Sequence, residues 1–595
     1  MSFTRRRAIG AEIADGGVHF RVWAPSRRKV AVVIGDRDHP LDAEQGGYFS
    51  GLVQGAGAGT LYRFRLDDER EAYPDPASRF QPDGPHGPSQ VIDSSHRPAT
   101  GWKGVDPDDL VIQELHIGTF TGEGTWKAAM EKLPLVAEVG INLLELMPVA
   151  EFPGRFGWGY DGVDMWAPTR LYGTPDDFRA FVDAAHGLGM GVILDVVYNH
   201  FGPDGCYVTK FSPSYFTDRY ENEWGVALNF DGEESAGVRE FFIENAAYWI
   251  DELRLDGLRV DATQSIYDAS PRHIISEVAQ SARRAGGGRT VFLVAENEPQ
   301  DVRMVEELGL DAMWNDDWHH SAAVALTGRG EAYYSDYRGT AQEFVSMARL
   351  GFLYQGQRYK WQQKRRGTPS GALPRRKLVC YLENHDQLAN SLRGARMHQQ
   401  TSPGRMRAMT ALLLLAPQTP MLFQGQEWGS PKPFLYFADH EPELAEKVLE
   451  GRFDFLKQFP RIATPEIQRL LPSPDDPETF RGCKLDWNRD GATLRLHRDL
   501  IALRRSLPRP AALDGAVLAA GAFVLRWADH LLVINLGPDL RLDPAPEPLL
   551  APPPGREWEL LWSSEAPEYG GGGTPALDTP EENWRIPAQC VVVLR

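Results

Sequence analysis

The sequence predicts a multidomain protein: a central (β/α)8 TIM barrel with an N-terminal β-sandwich and a C-terminal antiparallel β-domain. Three observations lead there. The chain has 595 residues, too many for one hydrophobic core. Both ends carry short strand-like runs, whereas the middle alternates apolar runs with helical patterns. Several of the middle runs also end in ionisable residues.

Residues 1–105 contain the first set of strands plus a connecting segment. Val18-His19-Phe20-Arg21-Val22-Trp23 alternates at period two, and 30–34 and 61–66 are similar, with Gly- and Asp-rich breaks between them. This pattern predicts a small sandwich. Residues 73–100 are dense in Pro, Asp, Ser and His and read as a loop packed on its neighbours.

Residues 106–507 predict the barrel. Apolar runs fall at 110–115, 141–147, 190–197, 257–260, 291–295, 312–314, 378–382 and 421–423. Helical patterns separate most of them, as at 175–188 and 237–253. Eight βα units over about 400 residues fit a barrel with insertions. One insertion, 201–231, follows the third strand. A doubly wound open sheet is the alternative, but no GxGxxG follows the first run. After a last helix at 494–507, short strands return at 523–527, 531–536 and 591–594. Residues 508–595 therefore form an antiparallel domain, with 570–573, four consecutive glycines, as a flexible loop.

The formal net charge is −19. Such a chain repels phosphate backbones and anionic lipid, so neither nucleic acid nor membrane is an expected partner. No apolar run is long enough to span a bilayer. A neutral sugar is indifferent to this field, and 16 Trp and 19 Tyr are compatible with stacking on its rings. The four cysteines lie far apart with no CxxC pair, and are expected to be reduced thiols. Residues 1–10 hold three arginines without a following apolar stretch, so a cytoplasmic protein is expected. No metal and no cofactor is expected, and the chain is expected to act as a monomer.

In a parallel barrel all strands end on one face, and barrel active sites are built there. Asp195, Asp261, Glu296 and Asp386, remote in sequence, should meet on that face, joined by His200, Arg259 and His385. Arg259 lies two residues before Asp261, on the same side of the strand. Its guanidinium favours the charged carboxylate that a nucleophile needs. Glu296 ends an apolar strand, where desolvation favours the neutral acid. This division suits glycosidic cleavage, and a retaining enzyme would hold the two carboxyl groups about 5–5.5 Å apart.

The chain resembles glycoside hydrolase family 13, the α-amylase superfamily. Asp195-Val196-Val197-Tyr198-Asn199-His200, Gly257-Leu258-Arg259-Val260-Asp261, Glu296 after its apolar strand, and Asn384-His385-Asp386 match its four short regions in order. The resemblance implies Asp261 as nucleophile, Glu296 as acid/base and Asp386 as the stabiliser of the transition state. It also implies that His200 and His385 hydrogen-bond the same sugar and that Tyr160 stacks beneath it. Asp195 is read as orienting Arg259 or the nucleophile, and both Asp195 and Arg259 are also counted among the substrate-binding residues. Further segments resemble the trehalose-releasing subgroup: residues 73–82 and 86–89, Glu114-Leu115-His116-Ile117-Gly118-Thr119-Phe120, residues 153–160, residues 228–231, and Trp314-Asn315-Asp316-Asp317-Trp318-His319-His320. That subgroup hydrolyses the α-1,4 bond next to the terminal trehalose of maltooligosyltrehalose. It works with a synthase that makes the capped glucan.

Asp316, Asp317, Trp318, His319 and His320 follow the sixth strand and are read as glucan contacts. Gln264, Gln387 and Asn390 stand where the chain departs from the usual family residues, and are read as substrate contacts too. Trp158, Trp224 and Trp318 are stacking candidates. No Asp cluster in 201–231 completes a calcium site. Another α-glucan enzyme, a branching transferase or debranching hydrolase, shares all four regions. A non-catalytic glycan-binding scaffold has no use for a set of mutually repelling carboxylates.

Overall fold

The computed structural model describes residues 4–95, 101–489, 491–509 and 512–595. The last residues of the 73–100 connecting segment lie outside the described residues. Eight parallel strands close into a barrel in sequence order. They are β1 (Ile112–Leu115), β2 (Leu143–Leu146), β3 (Gly191–Val196), β4 (Gly257–Val260), β5 (Phe292–Ala295), β6 (Ala312–Trp314), β7 (Leu378–Tyr381) and β8 (Thr419–Phe423). Every residue of these strands is buried. That double-sided burial explains why they read as continuous apolar runs without alternation.

The barrel interior changes character along its axis. Ile112, Leu143, Ile193, Phe292, Ala312, Val379 and Met421 pack together inside it. Two residues further along each strand, period two puts the next side chain on the same side. Glu114 and Glu145 follow there in register with each other, level with Ile193, and Asp195 and Arg259 form the next in-register pair. One further step brings Asp261 and Glu296. An apolar floor thus supports a polar mouth at the C-terminal ends.

Helices cover the outside. Pro175–Gly187 begins with a capping box between Thr174 and Asp177 and a proline in its first turn. Ser235–Asp251 buries Val238, Phe241, Phe242 and Trp249. Three short hairpins decorate the mouth: Ala150–Glu151 with Asp164–Pro168, Phe216–Asn222 with Gly225–Leu228, and Arg358–Tyr359 with Lys364–Arg365. Sequence periodicity marks none of them.

The N-terminal region forms two antiparallel sheets. Val18, Phe20 and Val22 point into their shared core with Val30, Val32 and Phe64. Phe211, from the insertion after β3, completes that core. Arg79 spans the junction, stacked 4.4 Å from the Trp166 ring and 4.7 Å from Tyr248. The C-terminal region forms a five-stranded and a three-stranded antiparallel sheet. Phe523 stacks on Phe344 of the barrel's outer layer at 5.9 Å.

One expectation is corrected. The glycines at 570–573 form a bonded turn. Gly573 N–H donates to Glu565 O at 2.7 Å, and a Cβ on Gly571 would fall 2.3 Å from the Glu565 backbone. Gly571 is glycine because the chain passes too close to itself there for a side chain, and Gly570 and Gly573 take left-handed φ values of 80° and 91°. The four cysteines are unpaired, with Cys380, Cys483 and Cys590 buried. No helix among the described residues is long and apolar enough to cross a membrane.

Candidate active site

The mouth of the barrel gathers the residues expected there. Arg259 is its electrostatic centre. Its Nη1 donates to Asp195 Oδ2 and to Asp261 Oδ1, each at 2.6 Å. Its Nη2 lies 3.9 Å from Glu296 Oε2, and its guanidinium sits 4.2 Å above the Trp314 ring. Asp261 receives a second donor, Asn199 Nδ2 at 2.9 Å from Oδ2. Both Asp261 oxygens are thereby oriented.

Glu296 follows β5 as Asp261 follows β4, and those strands pair Val260 with Ala295. The two acids are thus next in register. Glu296 Oε2 accepts the Ala262 N–H at 2.6 Å. Burial pushes its carboxyl up to about 8, against the pull of Arg259 and with added repulsion from Asp261 and Asp316. Ala262 itself is left-handed, with φ of 40°. A non-glycine residue held there costs about 1 kcal/mol or more. The bend turns its N–H onto Glu296.

Accessibility separates two groups. Asp261, Glu296 and Asp316 keep 16%, 18% and 16% of their side chains open to the mouth. Asp195 and Arg259 keep only 3% and 2%. The expectation that these two touch substrate is corrected: they lie below the cleft floor and act on it through Asp261 and Tyr160. Burial pushes Asp195 up to about 6, with Arg259 opposing.

Tyr160 bridges to the next group. Its hydroxyl donates to Asp195 Oδ2 at 2.5 Å and lies 3.0 Å from His385 Nε2. The Tyr160 and His385 rings stack at 5.2 Å. His200 Nε2 meets the Tyr160 carbonyl at 3.1 Å, and its ring lies under the exposed Trp224. Asp386 is partly exposed, and its charge is felt by His385, Tyr333, Tyr334 and Arg452.

The segment after β6 divides. Asp316 faces the mouth, holding the Tyr381 hydroxyl at 2.5 Å, and burial pushes it up to about 6. Asp317 and Trp318 do not: both are fully buried. Asp317 accepts the Leu353 and Tyr354 N–H groups at 2.8 Å and the Tyr337 hydroxyl at 2.6 Å. Trp318 packs edge-on against Phe344. Their reading as glucan contacts is corrected, because the helix Asp316–Thr327 turns them into the core. His319 is also consumed internally, by Leu382 O at 3.0 Å and the Tyr334 hydroxyl at 3.1 Å. The His320 ring is closed in by Tyr333, Tyr334 and Tyr337.

Gln387 accepts the Tyr333 and Tyr334 hydroxyls at 2.9 and 3.0 Å. Asn390 is held by Arg452 at 3.0 Å, and Gln264 by the Glu298 N–H at 3.3 Å. Trp158 is buried between His385 and Phe434, leaving Trp224 as the open aromatic of the three. Sequence reasoning missed Arg366, which enters from the Lys364–Arg365 hairpin. It pairs with Glu298 and lies 3.3 Å from Asp317 and 3.7 Å from Asp316. Among the described residues, no three His, Cys, Asp or Glu side chains are grouped to hold a metal ion.

Residues 110–228 match the family model described as alpha amylase, catalytic domain, and 510–581 match a domain of unknown function, DUF3459. The chain is 41% identical over 562 residues to a malto-oligosyltrehalose trehalohydrolase of Deinococcus radiodurans, covering 90% of each. It is 39% identical over 512 residues to that of Saccharolobus solfataricus, covering 84% of this chain and 87% of the relative. A crystal structure of a putative alpha amylase from Salmonella typhimurium superposes with a TM-score of 0.87 at 34% identity, covering 99% of both chains. At such identity over nearly its whole length, the chain belongs to the malto-oligosyltrehalose trehalohydrolase family of α-amylase-type enzymes.

Proposed function

We propose that the protein is a retaining glycosidase that cleaves the α-1,4 bond next to the terminal trehalose of maltooligosyltrehalose. One observation carries the mechanism. Two neighbouring acids at the mouth have opposite surroundings: Asp261 faces Arg259 and Asn199 donors, while Glu296 is pushed up to about 8 by burial. One is prepared to attack and the other to give a proton.

Asp261 attacks the anomeric carbon on the glucan side of the bond. Glu296 protonates the bridging oxygen, and trehalose leaves. Glu296, now ionised, takes a proton from water, whose oxygen displaces Asp261 and frees the glucan in its original α configuration. Asp386 holds ring hydroxyls of the distorted sugar, His200 and His385 contact the same ring, and Tyr160 stacks beneath it. Asp195 and Arg259 act from below by orienting Asp261. Asp316 offers an open carboxylate beside the acid. The names of the relatives support trehalose as the leaving group.

Unpaired, mostly buried cysteines fit a reducing compartment, so we place the enzyme in the cytoplasm, acting as a monomer. A synthase that caps maltooligosaccharides with trehalose would supply its substrate. The test is a product assay on maltotriosyltrehalose and, separately, on maltopentaose. Fast trehalose release from the first, with little action on the second, is expected. Transfer to 1,6 branches, or equal cleavage of both, overturns the substrate assignment. Proton NMR of the nascent glucan should show the α anomer first; a β anomer would mean inversion.

A further inference from the structure

His385 is gripped from behind by an acid outside the four matching regions. Glu114 is the penultimate residue of β1, at 1% exposure. One of its oxygens accepts the His385 backbone N–H at 3.0 Å, and the other meets His385 Nδ1. On the opposite edge of the ring, Nε2 faces the Tyr160 hydroxyl at 3.0 Å.

With Glu114 and Asp195 ionised, counting protons gives the state of the ring. Tyr160 has one proton, and it points at Asp195 Oδ2 at 2.5 Å. The Tyr160 oxygen can then only accept from His385, so Nε2 carries hydrogen. Nδ1 faces a carboxylate acceptor, so it carries hydrogen as well. A ring with both nitrogens protonated is an imidazolium. The surroundings agree: burial opposes the charge, but Glu114 first and Asp386 next raise the pKa of His385 above its ordinary value, with Arg259 opposing. Other titratable neighbours are His116 beyond β1, pushed down to about 3 by burial, Glu145 beside Glu114 on β2, and Asp195 below Tyr160. The rings of Trp158 and Trp314 close the remaining sides.

We propose that Glu114 is a positioning residue for the hydrolysis: its carboxylate keeps His385 doubly protonated and anchors its backbone, so that the imidazolium and the adjoining Asp386 face the sugar in fixed geometry. The inference deepens the function proposed above and rests on it for its kinetic readout only. The anchor joins the first strand of the barrel to the seventh, and no other residue of β1 reaches the mouth in this way.

Glu114→Gln tests it. The amide is isosteric, but its oxygen can serve only one of the two donors and it carries no charge. Loss of an opposite charge at contact distance moves a pKa by about 1–3 units. His385 should then deprotonate nearer its ordinary 6.5. The first readout is NMR of 13C-histidine-labelled full-length protein, with His385 identified by loss of its signal in His385→Asn. Wild type should show a doubly protonated ring through neutral pH, and Glu114→Gln a neutral ring above about pH 7. The second is the pH profile of kcat/KM on maltotriosyltrehalose. The alkaline limb should fall by about one unit or more in the variant, with activity recovering several-fold as pH is lowered to 5.5.

A neutral His385 in the wild type at pH 7 overturns the proposal without any variant. So does a Glu114→Gln enzyme whose His385 titration is unchanged, or whose activity falls equally at every pH. If wild type does not act on maltotriosyltrehalose, the functional assignment fails, while the NMR titration still decides the state of His385.

Discussion

Glu296→Gln should make the protein more stable, and the gain should grow with pH. The carboxyl has an ordinary value of 4.5 and is pushed up to about 8 in the fold, chiefly by burial. Below pH 4.5 it is neutral both folded and unfolded, and contributes no difference. Between 4.5 and about 8 the unfolded chain releases the proton while the folded chain retains it, so wild type loses stability as pH rises. Above about 8 the loss is complete. At 1.36 kcal/mol per pKa unit the full span gives an upper bound of ~5 kcal/mol. The side chain keeps 18% of its surface open to the cleft, so screening reduces the effect, and ~2–3 kcal/mol is expected. Gln has no such dependence. The assay is thermal unfolding of both proteins at pH 5 and pH 8.5. For a barrel of this size ~1 kcal/mol moves a midpoint by about 1 °C, so the gap in favour of the variant should widen by about 2–3 °C. An identical gap at both pH values would refute the raised pKa and, with it, the assignment of Glu296 as the protonated acid. The wild-type kcat/KM should correspondingly fall off on the alkaline side near pH 8.

Asp261→Asn should lower turnover by at least about 10³-fold while leaving the circular dichroism spectrum and melting unchanged; activity above a few per cent of wild type would mean that another group attacks. Trp224→Ala should raise KM on long maltooligosyltrehaloses by roughly 2- to 10-fold with kcat retained, at about 0.5–1.5 kcal/mol for one stacking aromatic; an unchanged KM would remove Trp224 from the cleft. Arg366→Met leaves Glu298, Asp316 and Asp317 facing one another without their shared cation, and should cost about 3–5 kcal/mol, read as a fall in melting temperature; a neutral effect would show that water compensates the cluster.

How far the site was legible follows from which physical rule places each residue. Asp195, Arg259, Asp261 and Glu296 were legible because two rules act together: parallel strands end on one face, and side chains alternate with period two. Arg259 and Asp261 share a side and do meet, at 2.6 Å. Neither rule says how deep a residue lies, so Asp195 and Arg259 were expected to touch sugar, although they sit beneath the floor.

The segment after β6 exposes the limit from another direction. Strand direction puts Asp316–His320 at the mouth, but from Asp316 the chain is helical and each residue turns about 100° from the last. Only Asp316 points into the cleft, and the next two residues are carried into the core. The rotation depends on where Asn315 caps the helix, through its side chain to Trp318 N–H, which spacing alone does not give. Arg366, Tyr333 and Tyr334 were illegible for a different reason. They come from an irregular segment with no apolar period, and only long-range packing brings them to Asp317 and Gln387. Glu114 is the instructive case, because its signal was present. Ile-Gln-Glu-Leu-His is an apolar strand ending in ionisable groups, like the runs that end at Asp195 and Glu296, and Glu114 has the parity of Ile112, which packs inside the barrel. What the sequence lacks is the partner: nothing local links β1 to His385, 271 residues away. Closure of the barrel makes its first strand a neighbour of its last, and β1 pairs with β8 beside β7. In a closed barrel, any acid on the inner face of β1 near its C-terminal end should therefore be read as a potential partner for residues that follow β7 and β8.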